Sequence, residues 1–267
     1  MKIEIDNFEK FDLKLYDISI VQKEVDGGIT SIEEIDQIKD YPYARSILIS
    51  GLNQKTFEYF IKNYAERFEA ISFLKNKKIN DLSILSELEN IKFLNFFFNQ
   101  GVKNLWNMKN NINLKGLSIY DFSKLHTIDE ITTAPSLEYF AIGNKVWAKM
   151  EIETFKPILN SNITHFSWCG KKVLDNDYIC LSKSKITELD MNIGNFTMDE
   201  LAKIINSFSN LSGTITIPYK ELNVTENNKK TSYYCLCKEK GKLIKGIDED
   251  KFKKYLNEFN KLLRKRD

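Results

Sequence analysis

His165 and Cys169 pair an imidazole that can take a proton with a thiol that can become a nucleophile, the residue types of covalent catalysis. Their spacing defeats the pairing. Four residues apart along a strand, the two side chains lie roughly 13 Å apart, too far for a base to reach its nucleophile. Cys235-Leu-Cys237 leaves a single residue between its thiols, which fits neither a redox CxxC nor a zinc knuckle. His126 and His165 are the only histidines, so a structural metal has few ligands to recruit. Asp175-Asn-Asp177 and Asp248-Glu-Asp250 supply paired carboxylates, but no EF-hand loop follows either. Gly27-Gly28 lacks the Lys-Ser/Thr of a phosphate loop, and there is no G-x-S-x-G elbow. The residues predict no catalytic site, no metal site and no cofactor.

Charge offers a second kind of chemistry. The formal net charge is only +2, yet it is polarised along the chain. Residues 1–40 carry five Lys against eleven Asp and Glu, a balance of −6, while residues 220–267 carry fourteen Lys and Arg against eight Asp and Glu, a balance of +6. A basic tail beside Tyr233, Tyr234 and Tyr255 is the footprint of phosphate-backbone binding. The small net charge and the acidic front argue against broad affinity for nucleic acid, which stands as the alternative reading. Four cysteines in 267 residues predict reduced thiols and a cytoplasmic location. Met-Lys-Ile-Glu-Ile-Asp at the start has no secretory pattern, and no apolar run approaches the eighteen or so residues of a membrane span.

The elements that would position any site are set by a repeat. The pattern apolar-x-x-apolar-x-apolar recurs at Phe68/Ile71/Phe73, Ile91/Leu94/Phe96, Leu114/Leu117/Ile119, Leu137/Phe140/Ile142, Ile163/Phe166/Trp168 and Ile186/Leu189/Met191. The steps between first positions are 23, 23, 23, 26 and 23 residues. A fixed period of this size marks a solenoid, whose units bury their apolar faces by stacking on one another. Each motif reads as a short strand with its last two apolar positions on one face. Helical spacing follows the strands, at Phe57, Phe60, Ile61 and Tyr64, at Ile84, Leu85 and Leu88, and at Leu201, Ile204, Ile205 and Phe208. Thr197-Met-Asp-Glu200 reads as a capping box, and Thr127-Ile-Asp-Glu130 as a second.

Asn76 and Asn99 each stand nine residues into a unit. With the repeat they make the chain resemble the leucine-rich repeat family. The resemblance spans about residues 44–217 and implies an α/β solenoid with parallel strands on a concave face and helices on a convex one. The Asn position is filled by Phe122, Lys145, Lys171 and Gly194 in later units, a departure from the family's regular ladder. Ala44/Ile47/Ile49 fits one earlier unit, and Leu211–Ile217 reads as a final strand. Residues 1–43 are expected to form an N-terminal cap, with strands from the alternation of Ile3, Ile5, Leu13, Leu15, Ile18 and Ile20 and a turn at Asp26–Gly28. Residues 218–267 are expected to form a C-terminal cap. Within it Ser232–Lys238 and Leu243–Ile247 make a hairpin, Asn223–Lys230 a loop, and Phe252, Tyr255, Leu256, Phe259, Leu262 and Leu263 the stripe of a basic amphipathic helix.

Side chains that alternate with the core set point onto the concave face. They give a candidate partner-binding surface of Phe93, Asn95, Phe97, Ser118, Tyr120, Tyr139, His165, Ser167, Glu188 and Asp190. Leaving a Phe in water forgoes on the order of 2–3 kcal/mol, so a contiguous aromatic patch points to an interface. The expected function is a non-catalytic module that binds a protein partner. Resemblance to small free-standing bacterial repeat proteins adds an immunity or antitoxin role against a toxin. Self-association through the same face is a further reading.

Overall fold

The computed structural model describes residues 3–23, 28–147, 149–226 and 229–264. Asp26 and Gly27 of the expected turn, and Arg266 of the basic tail, lie outside them. The chain divides into two compact units, residues 1–185 and 186–267, a division that falls inside the span expected for the repeats.

In the first unit the strands are β1 (Ile18–Ile20), β2 (Ser46–Ser50), β3 (Ala70–Leu74), β4 (Phe93–Phe97), β5 (Gly116–Tyr120), β6 (Tyr139–Gly143), β7 (Glu151–Ile152), β8 (His165–Cys169) and β9 (Lys172–Val173). All but β7 and β9 form one parallel sheet in chain order, β1-β2-β3-β4-β5-β6-β8. The register is unbroken, each repeat motif standing beside its equivalent in the next unit. One parallel strand per 23-residue unit makes this an α/β solenoid of the leucine-rich-repeat type. The small strands β7 and β9 pair separately, Ile152 beside Val173.

The core lies on one side of this sheet. Ile71 and Phe73, Leu94 and Phe96, Leu117 and Ile119, Phe140 and Ile142, and Phe166 and Trp168 are all buried. Phe73 stacks on Phe96 at 4.8 Å, and Phe155 meets Phe166 and Trp168 edge-on. Aromatic rings thus fill the stacked interior much as Leu would, with more area per residue.

The helical spacing at Phe57, Phe60, Ile61 and Tyr64 forms an α-helix, but that at Ile84, Leu85 and Leu88 forms only a 3-10 turn. Among the described residues of this unit only α1 (Ile32–Asp36) and α2 (Gln54–Tyr64) are α-helical, and α2 opens with a capping box from Asn53 and Thr56. The later units use five-residue 3-10 turns at Ser83–Glu87, Asp129–Thr133, Lys156–Asn160 and Ile179–Lys183. Units of 23 residues leave little chain after a five-residue strand and its turns, and 3-10 geometry suits such short pieces. Thr127 caps nothing, because the turn begins after Ile128 without a side-chain cap.

The chain turns sharply after β2, β3, β4 and β5. Gly51, Lys75, Phe98 and Asp121 directly follow β2, β3, β4 and β5, and all four have left-handed backbone. Their geometry extends the ladder by one bond: the N–H groups of Lys75, Phe98 and Asp121 donate to Phe97, Tyr120 and Gly143. Asn76 is buried just beyond, accepting from Leu52 N–H at 2.7 Å and donating to the Ile49 carbonyl at 3.2 Å. Asn99 is equally buried, and its amide, turned so that its nitrogen faces acceptors, reaches the Ile79 and Asn76 carbonyls at 3.0 and 3.1 Å. Where the next unit has Phe122, the preceding Asp121 takes over the role of backbone acceptor.

The N-terminal residues depart from expectation. Among the described residues there, only Ile18–Ile20 is a strand, pairing in parallel with Ile47–Ile49. Asn7 and Asp12 side chains accept from nearby N–H groups and fold the preceding residues into turns, so the alternation of Ile3, Ile5, Leu13 and Leu15 is not a strand pattern. Asx side chains that bond locally offer the backbone an alternative to a ladder.

The second unit contains β10 (Glu188–Met191), α3 (Met198–Ser207), a hairpin sheet of β11 (Lys220–Glu226), β12 (Lys229–Cys235) and β13 (Lys242–Ile244), and α4 (Glu249–Arg264). The capping box of Thr197 and Glu200 is present on α3. β11 and β12 pair antiparallel, so the stretch expected as a loop, Asn223–Lys230, is mostly strand. Leu211–Ile217 is instead a single bridge at Ser212 and a 3-10 turn at Thr214–Thr216. Left-handed Gly213 interrupts it, and a Cβ there would lie 2.4 Å from the Leu189 carbonyl oxygen. Phe252, Tyr255 and Phe259 of α4 are buried. Phe252 stacks on Tyr234 of β12, and Leu262 O accepts from Asn206 of α3. No helix among the described residues is long and apolar enough to cross a membrane.

Candidate interaction surface on the front of the sheet

Opposite the core, the sheet of the first unit presents three rows of side chains. The first runs Ala70, Phe93, Gly116, Tyr139 and His165; the second Ser72, Asn95, Ser118, Ala141 and Ser167; the third Leu74, Phe97, Tyr120, Gly143 and Cys169. The second row is tied across strands, Ser118 donating to Asn95 at 2.6 Å and Asn95 to Ser72 at 3.4 Å.

Much of this face is covered, and the cover is residues 3–16 of the same chain. Ile3, Phe8, Leu15 and Tyr16 share an apolar cluster with Leu48, Ala70 and Phe93. Phe8 is the centrepiece. Gly116 leaves a pit between Phe93 and Tyr139, and a Cβ there would come within 2.9 Å of the Phe8 ring. Phe8 fills it, stacking on Phe93 at 5.3 Å and meeting Tyr139 edge-on at 5.2 Å. Phe11 packs on Phe97 at 5.0 Å. Tyr16 donates to the carbonyls of Phe8 and Lys10, and burial pushes its phenol pKa up against the lowering effect of Ser72 and Asn95.

Between the two phenylalanines Glu9 turns inward. Tyr120 donates to both its carboxylate oxygens at 3.0 Å. Desolvation raises the Glu9 pKa, while the Lys145 charge and hydrogen bonds from Tyr120 and Tyr139 pull it back. Lys145 also lies over the Tyr120 ring at 3.7 Å. Burial, then the Glu9 charge, pushes the Tyr120 phenol well above its ordinary value. Cys169 ends the third row, and burial raises its thiol, the opposite of what a nucleophile needs.

The expected surface residues therefore divide. Phe93, Asn95, Ser118 and Tyr120 are buried, and Phe97, Tyr139, His165 and Ser167 remain half-buried. Tyr139 and His165 are in ring contact at 4.1 Å. Glu188 and Asp190 belong to the second unit, where Asp190 accepts from Thr214 N–H at 2.7 Å and Glu188 is bridged to Ser212. Phe8, Glu9, Phe11 and Lys145 were absent from the expected set. Phe8-Glu-Lys-Phe11 is the densest aromatic and acidic run near the start, and Gly116 is a gap between Phe93 and Tyr139 in their row; together they signal an insert and its socket.

No family model matches the chain, and no curated protein matches it. Among solved structures the chain is similar to an internalin (inlF) from Listeria monocytogenes, with a TM-score of 0.42 and 16% identity. The match covers 70% of this chain and 64% of that one, so the chain spans just under two thirds of that structure's length.

Proposed function

We propose that this chain is a non-catalytic protein-binding module. Its partner docks on the half-open strands β6 and β8, beside the N-terminal insert. The observation that carries this reading is the insert itself. The front face already holds a polypeptide segment, by seating an aromatic ring in a glycine pit and a carboxylate on a phenol. Those are the anchoring modes of protein interfaces. His165 and Ser167 continue the rows past Tyr139, against which the insert packs, with half-buried side chains. Neutralisation of a toxin, as an immunity protein does, is the finer form of this proposal.

The test is affinity capture from native lysate with wild-type bait and a His165→Asp/Ser167→Arg variant whose circular dichroism matches wild type. A protein retained by the wild type and lost by the variant supports the reading. Identical retention by both baits removes β8 from the interface.

A further inference from the structure

We propose that the rim formed where the chain leaves β4 and β6, centred on Trp147, docks an acidic polypeptide segment carrying an apolar residue. This deepens the protein-binding reading and rests on it.

The rim begins with an anomaly in the repeat. Eight residues (75–82 and 121–128) connect β3 and β5 to their 3-10 turns, but twelve (144–155) connect β6 to its turn. This is the unit whose sequence step is 26. Insertions in a solenoid map to loops on one face, often the binding face. The longer connection is held in place. The buried Asp121 carboxylate accepts the N–H groups of Lys145, Val146 and Trp147 at 3.2–3.3 Å, and Asn144 accepts from Met150 N–H at 3.0 Å. A structure that spends a buried carboxylate on one loop fixes what that loop displays.

It displays Val146 and Trp147, which are 53% and 47% exposed, whereas Trp106 and Trp168 are buried. An exposed Trp held rigidly beside an exposed Val is the composition of an interface anchor. Lysines surround it. Trp147 leans on Phe98 at 5.0 Å, the Lys149 ammonium lies 5.3 Å from the Trp147 ring, and the Lys77 ammonium lies 5.0 Å from the Phe98 ring. Lys77 and Lys149 are exposed, and neither ends in an ion pair among the described residues. Phe97 joins this group to Phe11, at whose ring Lys145 stands 5.7 Å away.

Two features choose an acidic polypeptide over a nucleic acid. Glu9 gives a precedent at the edge of the rim, a carboxylate on a peptide segment facing Lys145 with aromatic neighbours on either side. Trp147 is also poorly placed to stack a base, since Phe98 leans on its ring and the Lys149 cation lies over it. A carboxylate can reach those ammonium groups without displacing either ring.

Trp147 provides its own reporter, because the other two tryptophans are buried. A decapeptide of alternating Glu and Leu is titrated into the full chain, with the Lys-Leu decapeptide and a dT20 oligonucleotide in parallel. The expected result is a blue shift of tryptophan emission with the Glu-Leu peptide alone. The Lys77→Glu/Lys149→Glu variant, folded by circular dichroism, should lose at least tenfold in affinity. Trp147→Phe should abolish the shift and weaken binding of a labelled peptide measured by anisotropy. No shift with the acidic peptide overturns the proposal, as does unchanged affinity in the double variant or a stronger response to dT20. If lysate capture is lost in the His165/Ser167 variant but unchanged in the Lys77/Lys149 variant, the rim proposal fails while the protein-binding reading stands.

Discussion

Phe8 and Gly116 behave as a ring and its socket, and each should fail when the other is altered. Phe8→Ala empties the pit, and Gly116→Ala pushes a methyl into the space the ring occupies. Each change is expected to cost about 2–4 kcal/mol of segment docking. The double variant should cost far less than the sum, because both destroy one interaction. Hydrogen exchange over residues 3–16 measures this directly; additive losses would mean that ring and pit do not act together. Glu9 makes a second prediction. Its pKa in the fold is raised above the ordinary 4.5, so the docked form binds a proton more readily than the free segment does. The associated stability is complete below about pH 4.5 and is lost as pH rises through the raised value. Glu9→Gln should therefore melt above wild type at pH 7, with the difference shrinking toward zero near pH 4. A variant that melts lower than wild type at pH 7 would contradict this. None of this was legible one residue at a time. Phe93 and Tyr120 read as exposed because alternation reports which face a side chain takes, and says nothing about what lies on that face.

At the scale of elements, the strands of the repeat and the helices α2 and α3 were legible, and the short turns between the later strands were not. Ile71/Phe73 and its equivalents alternate with a period of two over five residues, and only a strand satisfies that pattern while burying one face. The 3-10 turns are five residues long, so Leu85 or Ile131 marks one buried contact without displaying a period. The left-handed residues after the strands were equally silent, since Lys75 and Phe98 are residue types that seldom adopt that backbone. Each such residue carries on the order of 1 kcal/mol of strain. Lys75→Gly removes that strain at a position whose side chain makes no hydrogen bond or ion pair among the described residues, and keeps the N–H that reaches Phe97. It is expected to raise the melting temperature by a few degrees, equivalent to roughly 0.5–1 kcal/mol. Lys75→Val should lower it, because a β-branched side chain fits the left-handed region worst. Differential scanning calorimetry of the two variants decides the matter.

For the whole molecule, the insert determines how much apolar surface the chain shows to others. With residues 3–16 in place, Phe93 and Tyr120 are buried and Tyr139 is half-covered. A chain lacking residues 1–16 should expose them as one aromatic patch, bind a hydrophobic dye and sediment at a higher mass than the full chain. Adding a synthetic peptide of residues 3–16 in excess should reverse both effects. If the truncated chain neither binds dye nor changes mass, the front face does not depend on its insert. The polarity of charge along the sequence, −6 at the start, takes on a local meaning here, because Glu9 comes to rest beside Lys145.

The bond from Tyr120 to Glu9 joins residues 111 positions apart. On a ribosome adding about 5–20 residues per second, Phe8 and Glu9 leave roughly 5–20 s before the strand that receives them is complete. During that interval two phenylalanines and a carboxylate travel without their socket, and strands β2 to β4 assemble with their front rows bare. The insert can settle only when the growing stack reaches β6, so its arrival marks the completion of the sheet's middle.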